Sequence, residues 1–181
     1  MLQILTIVAI LAVAPAAVLG AQLSRGTAAR PPAPFQSPLD TPGLPRPVAS
    51  ALVEAGCRIP VSSERPSAVR ADFSGDGAAD WAVLCSREGV TTIRLFWGGS
   101  ARCPAVLAPV PDASLLHETA GQTRYVRTIR AVDPKETRTV RQAESATTVR
   151  RTTGVGIGDG YLDEVDVVYL CRDGTWVELA P

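Results

Sequence analysis

The chain has 181 residues, of which 46% are apolar, 20% charged and 5% aromatic, enough to fill one ordinary hydrophobic core and hardly two. Lys plus Arg and Asp plus Glu number 18 each, so the formal net charge is zero. Nucleic-acid binders carry an excess of positive charge, and nucleic acid is therefore not an expected partner.

No side chain from Met1 to Gln22 is charged, and Ile4 to Leu19 is a nearly unbroken apolar run that ends in small residues. This pattern predicts a secretory signal peptide over residues 1–21, cut after Gly20 or Ala21. The run is shorter than the roughly 20 residues of a membrane span, so no span is expected once the signal is removed. The lack of a basic leading segment leaves an uncleaved N-terminal anchor as the alternative. Residues 22–47 follow as a Pro-rich linker: seven of the 15 prolines lie between Arg30 and Pro47. Such a segment supplies few backbone donors and buries little surface, which predicts an extended spacer. A disulfide-braced, β-rich domain is expected over 48–181.

That domain opens with a short helix from Val48 to Gly56, with Val48, Leu52 and Val53 on one face and Gly56 as its stop. Strands come next. Trp81, Val83 and Cys85 alternate with Ala82 and Leu84, Ser86 to Gly89 turns, and Ile93, Leu95 and Trp97 continue on a second strand. Asp112 to His117 is read as one capped helical turn. Gln122 to Val132 and Thr137 to Arg151 are read as longer, more exposed strands or strand-loop mixtures. A second hairpin closes the chain, with Val165, Val167, Tyr169 and Cys171 facing one way, a turn at Arg172-Asp173-Gly174, and Trp176 on the return. The fold class this predicts is α+β: mostly antiparallel sheet with one short N-terminal helix.

Export would put Cys57, Cys85, Cys103 and Cys171 in a compartment that permits disulfides. No C-x-x-C pair occurs and the chain has one histidine, so a zinc site is disfavoured. Of the three pairings, Cys57 with Cys85 and Cys103 with Cys171 is preferred. The first closes a short loop in the first half of the domain, and the second ties the halves together.

One segment concentrates oxygen ligands. Asp72-Phe-Ser74-Gly-Asp76-Gly77-Ala78-Ala-Asp80 places side-chain oxygens at positions 1, 3, 5 and 9 of a tight loop, with Gly77 at the sharp bend and the Ala78 carbonyl between. Hard cations bind several oxygens arranged this way, and the spacing suits calcium better than magnesium. Position 12 is Val83 rather than a bidentate Glu, which disfavours an EF-hand. The other reading of the loop is an Asp/Gly turn whose carboxylates accept backbone N–H groups.

Residues 69–98, with this loop running directly into the strand Trp81-Ala-Val-Leu, resemble the calcium-loop repeat of the FG-GAP and VCBS families. The resemblance implies calcium held by the side chains of Asp72, Asp76 and Asp80 and the carbonyl of Ala78, with Ser74 standing where those families place Asn or Asp. It is a single motif, and the chain is too short for the blades of a full propeller. Gly158-Asp159-Gly160-Tyr-Leu-Asp163 echoes Gly75-Asp76-Gly77-Ala-Ala-Asp80 as punctuation before the second hairpin, a faint internal repeat. Val155 and Ile157 occupy its first and third ligand positions, so no ion is expected there.

His117, beside Glu118, is read as an ordinary helix-end residue rather than a general base. Asp163, Glu164 and Asp166 offer carboxylates for glycosidase-like chemistry but are more simply a solvated strand face. No G-x-S-x-G or Cys-His arrangement is present. Seven arginines (Arg124, Arg127, Arg130, Arg138, Arg141, Arg150 and Arg151) make the middle of the domain basic, and Asp159, Asp163, Glu164, Asp166, Asp173 and Glu178 make its end acidic. Pairing between neighbouring strands is the preferred account, and a basic face for an anionic envelope polymer, lipid head groups or an acidic partner is the other. The sequence thus predicts a secreted or periplasmic, non-catalytic binding or structural domain, calcium-stabilised through its loop, whose partner is an envelope component or another protein. The alternative is a small secreted hydrolase using carboxylates with or without His117.

Overall fold

A computed structural model of the chain describes residues 34–62, 66–100, 102–133, 154–161 and 167–179. In chain order its elements are β1 (Phe35–Gln36), α1 (Arg46–Glu54), β2 (Ile59–Pro60), β3 (Ala68–Ala71), β4 (Asp80–Arg87), β5 (Val90–Phe96), β6 (Val106–Pro111), β7 (Leu116–Thr119), β8 (Gln122–Tyr125), β9 (Arg127–Val132), β10 (Gly156–Tyr161), β11 (Val167–Arg172) and β12 (Thr175–Leu179). Two antiparallel four-stranded sheets carry the fold, one in the order β3-β4-β5-β6 and the other β12-β11-β10-β9, with β1-β2 and β7-β8 as two-stranded additions. The molecule is mostly β. Its one helix among the described residues beyond single 3-10 turns is the nine-residue α1, so the α+β expectation overstates the helical share.

The main core lies where the two sheets meet. Ala82, Leu84, Ile93, Leu95 and Leu107 from the first sheet pack with Ile129, Ile157 and Tyr169 from the second, joined by Phe73, Leu115 and Tyr125. The opposite face of β4 serves a smaller core, in which Val83 and Cys85 meet Leu52 of α1 with Cys57 and Ile59. Both faces of β4 are therefore covered from 82 to 85, which is why its sequence is apolar at every position there.

The helix begins two residues earlier than its periodicity predicts, at Arg46, and ends where Gly56 adopts φ +71° and the Cys57 amide donates to the Leu52 carbonyl. Its buried face is Ala49 and Leu52; Val53, expected inward, is exposed. Residues 34–47, read as linker, belong to the fold. Gln36 pairs with Ile59 and Phe35 with Pro60, and the Phe35 ring packs edge-on against Tyr125 with the Arg58 guanidinium over it. Pairing with β2, the Val61 amide donating to the Pro34 carbonyl, and the Phe35 ring together hold this proline-rich stretch against the core.

Three hairpins turn through an X-Gly pair with positive φ at both residues: Glu88-Gly89, Ala120-Gly121 and Asp173-Gly174. This is the turn whose twist matches that of the strands it joins. The first and third fall at the predicted hairpins. The second belongs to β7-β8, where helix was expected: the 3-10 turn spans only Asp112–Ser114, and His117 sits in a strand opposite Arg124. Asp112 does not cap that turn. Its buried carboxylate accepts the hydroxyls of Ser86 (2.5 Å) and Thr91 (2.6 Å). The expectation of exposed strands across Gln122 to Val132 holds for β8 except at buried Tyr125 and fails for β9, which is largely buried. Thr137 to Arg151 lies outside the described residues.

The pairing of basic and acidic strands takes a form the sequence did not suggest. Arg127 on β9 is 1% exposed and donates to both carboxylate oxygens of Asp159 on β10 at 2.8 Å, and also to the carbonyls of Thr91 (3.0 Å) and Ala108 (2.8 Å) in the first sheet. Gly158-Asp159-Gly160 is therefore strand interior rather than turn, and the echo of Gly75-Asp76-Gly77 does not extend to structure. Burial works against the Arg127 charge, and Asp159 more than offsets it, raising the guanidinium above its ordinary value. Removing one partner strands the other charge in the core, so Asp159→Leu and Arg127→Met alone should each lower unfolding free energy by about 3 to 5 kcal/mol, the double variant by less than their sum. Urea unfolding of the three variants checks this.

Candidate functional site

The Asp72 to Asp80 loop joins β3 to β4 at the junction of the two sheets. Phe73 is fully buried and fixes it to the main core, and the Val155 amide donates to the Asp72 carbonyl at 2.8 Å. Within the loop every amide from residue 73 to residue 78 donates to a loop carboxylate. Phe73 and Ser74 donate to Asp80 Oδ2 (both 3.0 Å), Gly75 and Asp76 to Asp72 Oδ1 (2.7 and 3.1 Å), Gly77 to Asp72 Oδ2 (2.9 Å) and Ala78 to Asp76 Oδ1 (2.9 Å).

Two further amides arrive from the turn after β5: Gly98 donates to Asp80 Oδ1 at 2.9 Å and Ser100 to Asp76 Oδ2 at 2.6 Å. The approach is close enough that a Cβ at Gly98 would collide with the Ala79 carbonyl, and one at Gly99 with the Asp76 carboxylate. Eight N–H dipoles thus face three carboxylates, which explains how three negative charges coexist within nine residues.

The structure brings Asp72, Ser74, Asp76 and Asp80 into one hydrogen-bonded loop but gives them unequal surroundings. Asp80 is fully buried and Ser74 nearly so, Asp72 is half-buried, and Asp76 is exposed. The Ser74 hydroxyl donates to Asp72 Oδ1 at 3.3 Å, and the Ala78 amide donates to Asp76 Oδ1. The amides of Ala78 and Ser100 hold the Asp76 carboxyl below the usual carboxylate range. Among the described residues, no group of three or more His, Cys, Asp or Glu side chains converges in an arrangement that could hold a metal ion.

The four cysteines form two bridges. Cys57–Cys85 joins the end of α1 to β4, beside a reciprocal backbone pair between Arg58 and Ser86. Cys103–Cys171 joins the segment between β5 and β6 to β11, and so ties the first sheet to the second. Next to it Trp97 and Trp176 stack at 6.1 Å, and the Trp176 indole N–H donates to the Pro104 carbonyl at 2.8 Å.

His117 and Glu118 are successive exposed residues of β7, so their side chains leave opposite faces and Glu118 is not placed to orient the imidazole. Asp163, Glu164 and Asp166 lie outside the described residues, as do Arg138, Arg141, Arg150 and Arg151 and the predicted signal peptide. No helix among the described residues is long and apolar enough to cross a membrane.

A groove of about 530 Å³, which the sequence did not announce, runs beside β3 and is lined by Pro42, Pro60, Val61, Pro66, Arg70 and Trp81 among others. Its walls come from segments far apart in sequence, and the only local signal is the Arg70 and Trp81 pair that strand register places side by side. No family model, curated protein or solved structure matches the chain.

The loop's geometry separates two roles. Asn at position 80 would have to aim its NH₂ group at either Gly98 N–H or the Phe73 and Ser74 N–H pair, so Asp80→Asn should destabilise by about 3 kcal/mol. Asp76→Ala, at the solvent-exposed end where water can take over the Ala78 and Ser100 amides, should lower the melting midpoint by clearly less than Asp80→Asn. Calorimetry of both variants in calcium-free buffer distinguishes these outcomes.

Proposed function

We propose that this chain is an exported, non-catalytic binding domain of the secreted or periplasmic space, acting on an envelope component or another protein. The observation that carries the reading is the pair of disulfides, with no free cysteine among the described residues. Bridges of this kind persist in oxidising compartments and are rare where thiols are kept reduced. They close loops of 28 and 68 residues, and each should stabilise the domain by roughly 4 kcal/mol through restriction of the unfolded chain. The uncharged apolar leader supports the same destination. Intact mass of protein recovered from outside the cytoplasm should show no alkylation before reduction, four alkylated cysteines after it, and an N-terminus near residue 21. Four reactive thiols without reduction would refute the reading.

Calcium stabilisation of the Asp72 to Asp80 loop is a second reading, supported by the resemblance to FG-GAP and VCBS loops and by the solvent-facing position of Asp76. The eight amides already hold the loop in shape, so an ion would add to an existing arrangement rather than create it. Calcium at a hundred times its dissociation constant would add roughly 2.7 kcal/mol, a rise of several degrees in midpoint. The wild-type domain should melt higher in millimolar calcium than in EDTA, with Asp76→Ala indifferent to the ion. Equal melts for the wild type remove calcium from the account.

A further inference from the structure

The outer face of the first sheet carries cationic and aromatic side chains with no acidic partner among the described residues. Register places Arg70 of β3 opposite Trp81 of β4, and Trp81 opposite Phe96 of β5; the next row on that face is Ala68, Val83 and Arg94. Helix α1 covers Val83 and Cys85, leaving Trp81 and Phe96 half-buried at the margin of that contact. Arg70 is exposed, and none of the ion pairs among the described residues involves it. Arg94 has its Nε buried with no acceptor. Of the two, Arg70 is the exposed one and lines the adjoining groove, where its guanidinium can pair with carboxylate oxygens from outside the chain.

The adjoining groove has matching chemistry. Its volume of about 530 Å³ accommodates a few side chains, and among the described residues no carboxylate lines it. Much of its polar lining is already engaged: Gln36 Nε2 donates to Thr41 Oγ1 at 3.2 Å, Thr41 Oγ1 to the Ser37 carbonyl at 3.3 Å, and Ser67 Oγ to the Pro60 carbonyl at 2.5 Å. A sugar chain, which binds through many hydroxyl contacts, finds few free partners there. Pro42, Pro60 and Pro66 have no N–H to offer, so an incoming strand finds no donor ladder along them either. What the walls do offer is flat apolar surface from prolines and an indole, with a guanidinium beside it.

We propose that this groove docks an acidic-apolar peptide segment of an exported partner protein, an apolar or proline side chain lying against Trp81 and Pro60 while a neighbouring carboxylate pairs with Arg70. The proposal rests on the reading of the chain as a binding domain and names the chemistry of its partner. Charge complementarity selects the occupant: among the described residues the one charged side chain lining the groove is Arg70, so the preference is local and should weaken as salt screens it.

The test uses the oxidised, folded protein and two immobilised sets of decapeptides. One set combines Glu and Asp with Pro, Leu and Phe, the other replaces every acid by Lys, and oligogalacturonate serves as an anionic polysaccharide probe. Binding confined to the acidic set, weakened roughly tenfold or more by Arg70→Glu and partly retained by Arg70→Lys, is the expected result. Arg70 is exposed, and an unchanged melt for both variants shows that lost binding is not lost folding. Equal binding of the acidic and Lys sets, or acidic-set binding that ignores Arg70→Glu, overturns the proposal. Arg70-dependent binding of oligogalacturonate without peptide binding overturns the peptide occupant while leaving the binding-domain reading standing. That reading falls separately, on the thiol count.

Discussion

A guanidinium sealed between two sheets is the constraint on which the rest of this structure depends. Arg127 and Asp159 belong to the second sheet, yet two of the Arg127 hydrogen bonds end on Thr91 and Ala108 in the first. Thr91 also donates its hydroxyl to Asp112, which accepts from Ser86, so one polar chain links β4, β5, β9 and β10 through the middle of an apolar core. A one-residue slip of β9 against β10 would turn Arg127 out of this chain and leave Asp159 buried without a cation. Ala108 has φ +52° beside a register shift between β5 and β6. That irregularity aims a carbonyl at Arg127 which a regular ladder would have used itself. Tyr169 lies near the same network, its phenol pushed up to about 12 by burial and by the Asp159 charge.

The second organising centre is the Asp72 to Asp80 loop, and it works by the opposite means. Arg127 satisfies its charge with a counter-charge; the loop satisfies three carboxylates with amide dipoles. The most buried of them, Asp80, accepts from both the loop and the turn after β5, so it joins the two ends of the β4-β5 hairpin. The exposed one, Asp76, ties the same turn from outside through Ser100. A motif that in its amino-acid pattern resembles an ion clamp is here a complete hydrogen-bonded structure. Any ion it took would meet carboxylates whose positions are already set.

Much of this was legible in the sequence where local chemistry decides. The β4-β5 and β11-β12 hairpins follow from alternation and X-Gly turns, and the cysteine pairing followed from loop length and the need to tie two halves together. The helix was legible to within two residues. What escaped was decided by tertiary contact. Phe35 anchors a proline-rich stretch whose composition alone reads as linker. Asp159 sits between glycines that read as a turn, and only its pairing with Arg127 on the neighbouring strand shows that it is strand. Ala120-Gly121 lacks the Asn or Asp that usually announces such a turn. Arg127 looked like one more basic residue in a basic segment, since nothing in a sequence tells a buried arginine from a solvated one.

The placement of the groove follows from these commitments. The facing surfaces of the two sheets are consumed by the main core and by the Arg127 network, and the outer face of the first sheet is only partly covered, because α1 has nine residues and reaches Val83 and Cys85 through Leu52. The Cys57–Cys85 bridge holds the helix at that end of β4, and the sheet face toward Trp81 is left to the short segments around Pro42, Pro60 and Pro66. Prolines there restrict the backbone without adding donors, so the walls hold their shape while offering mainly apolar surface. A preorganised surface loses little entropy when something docks on it. The same bracing that stabilises the domain therefore also fixes the helix at one end of β4 and leaves the Trp81 end of that face, among the described residues, only partly covered.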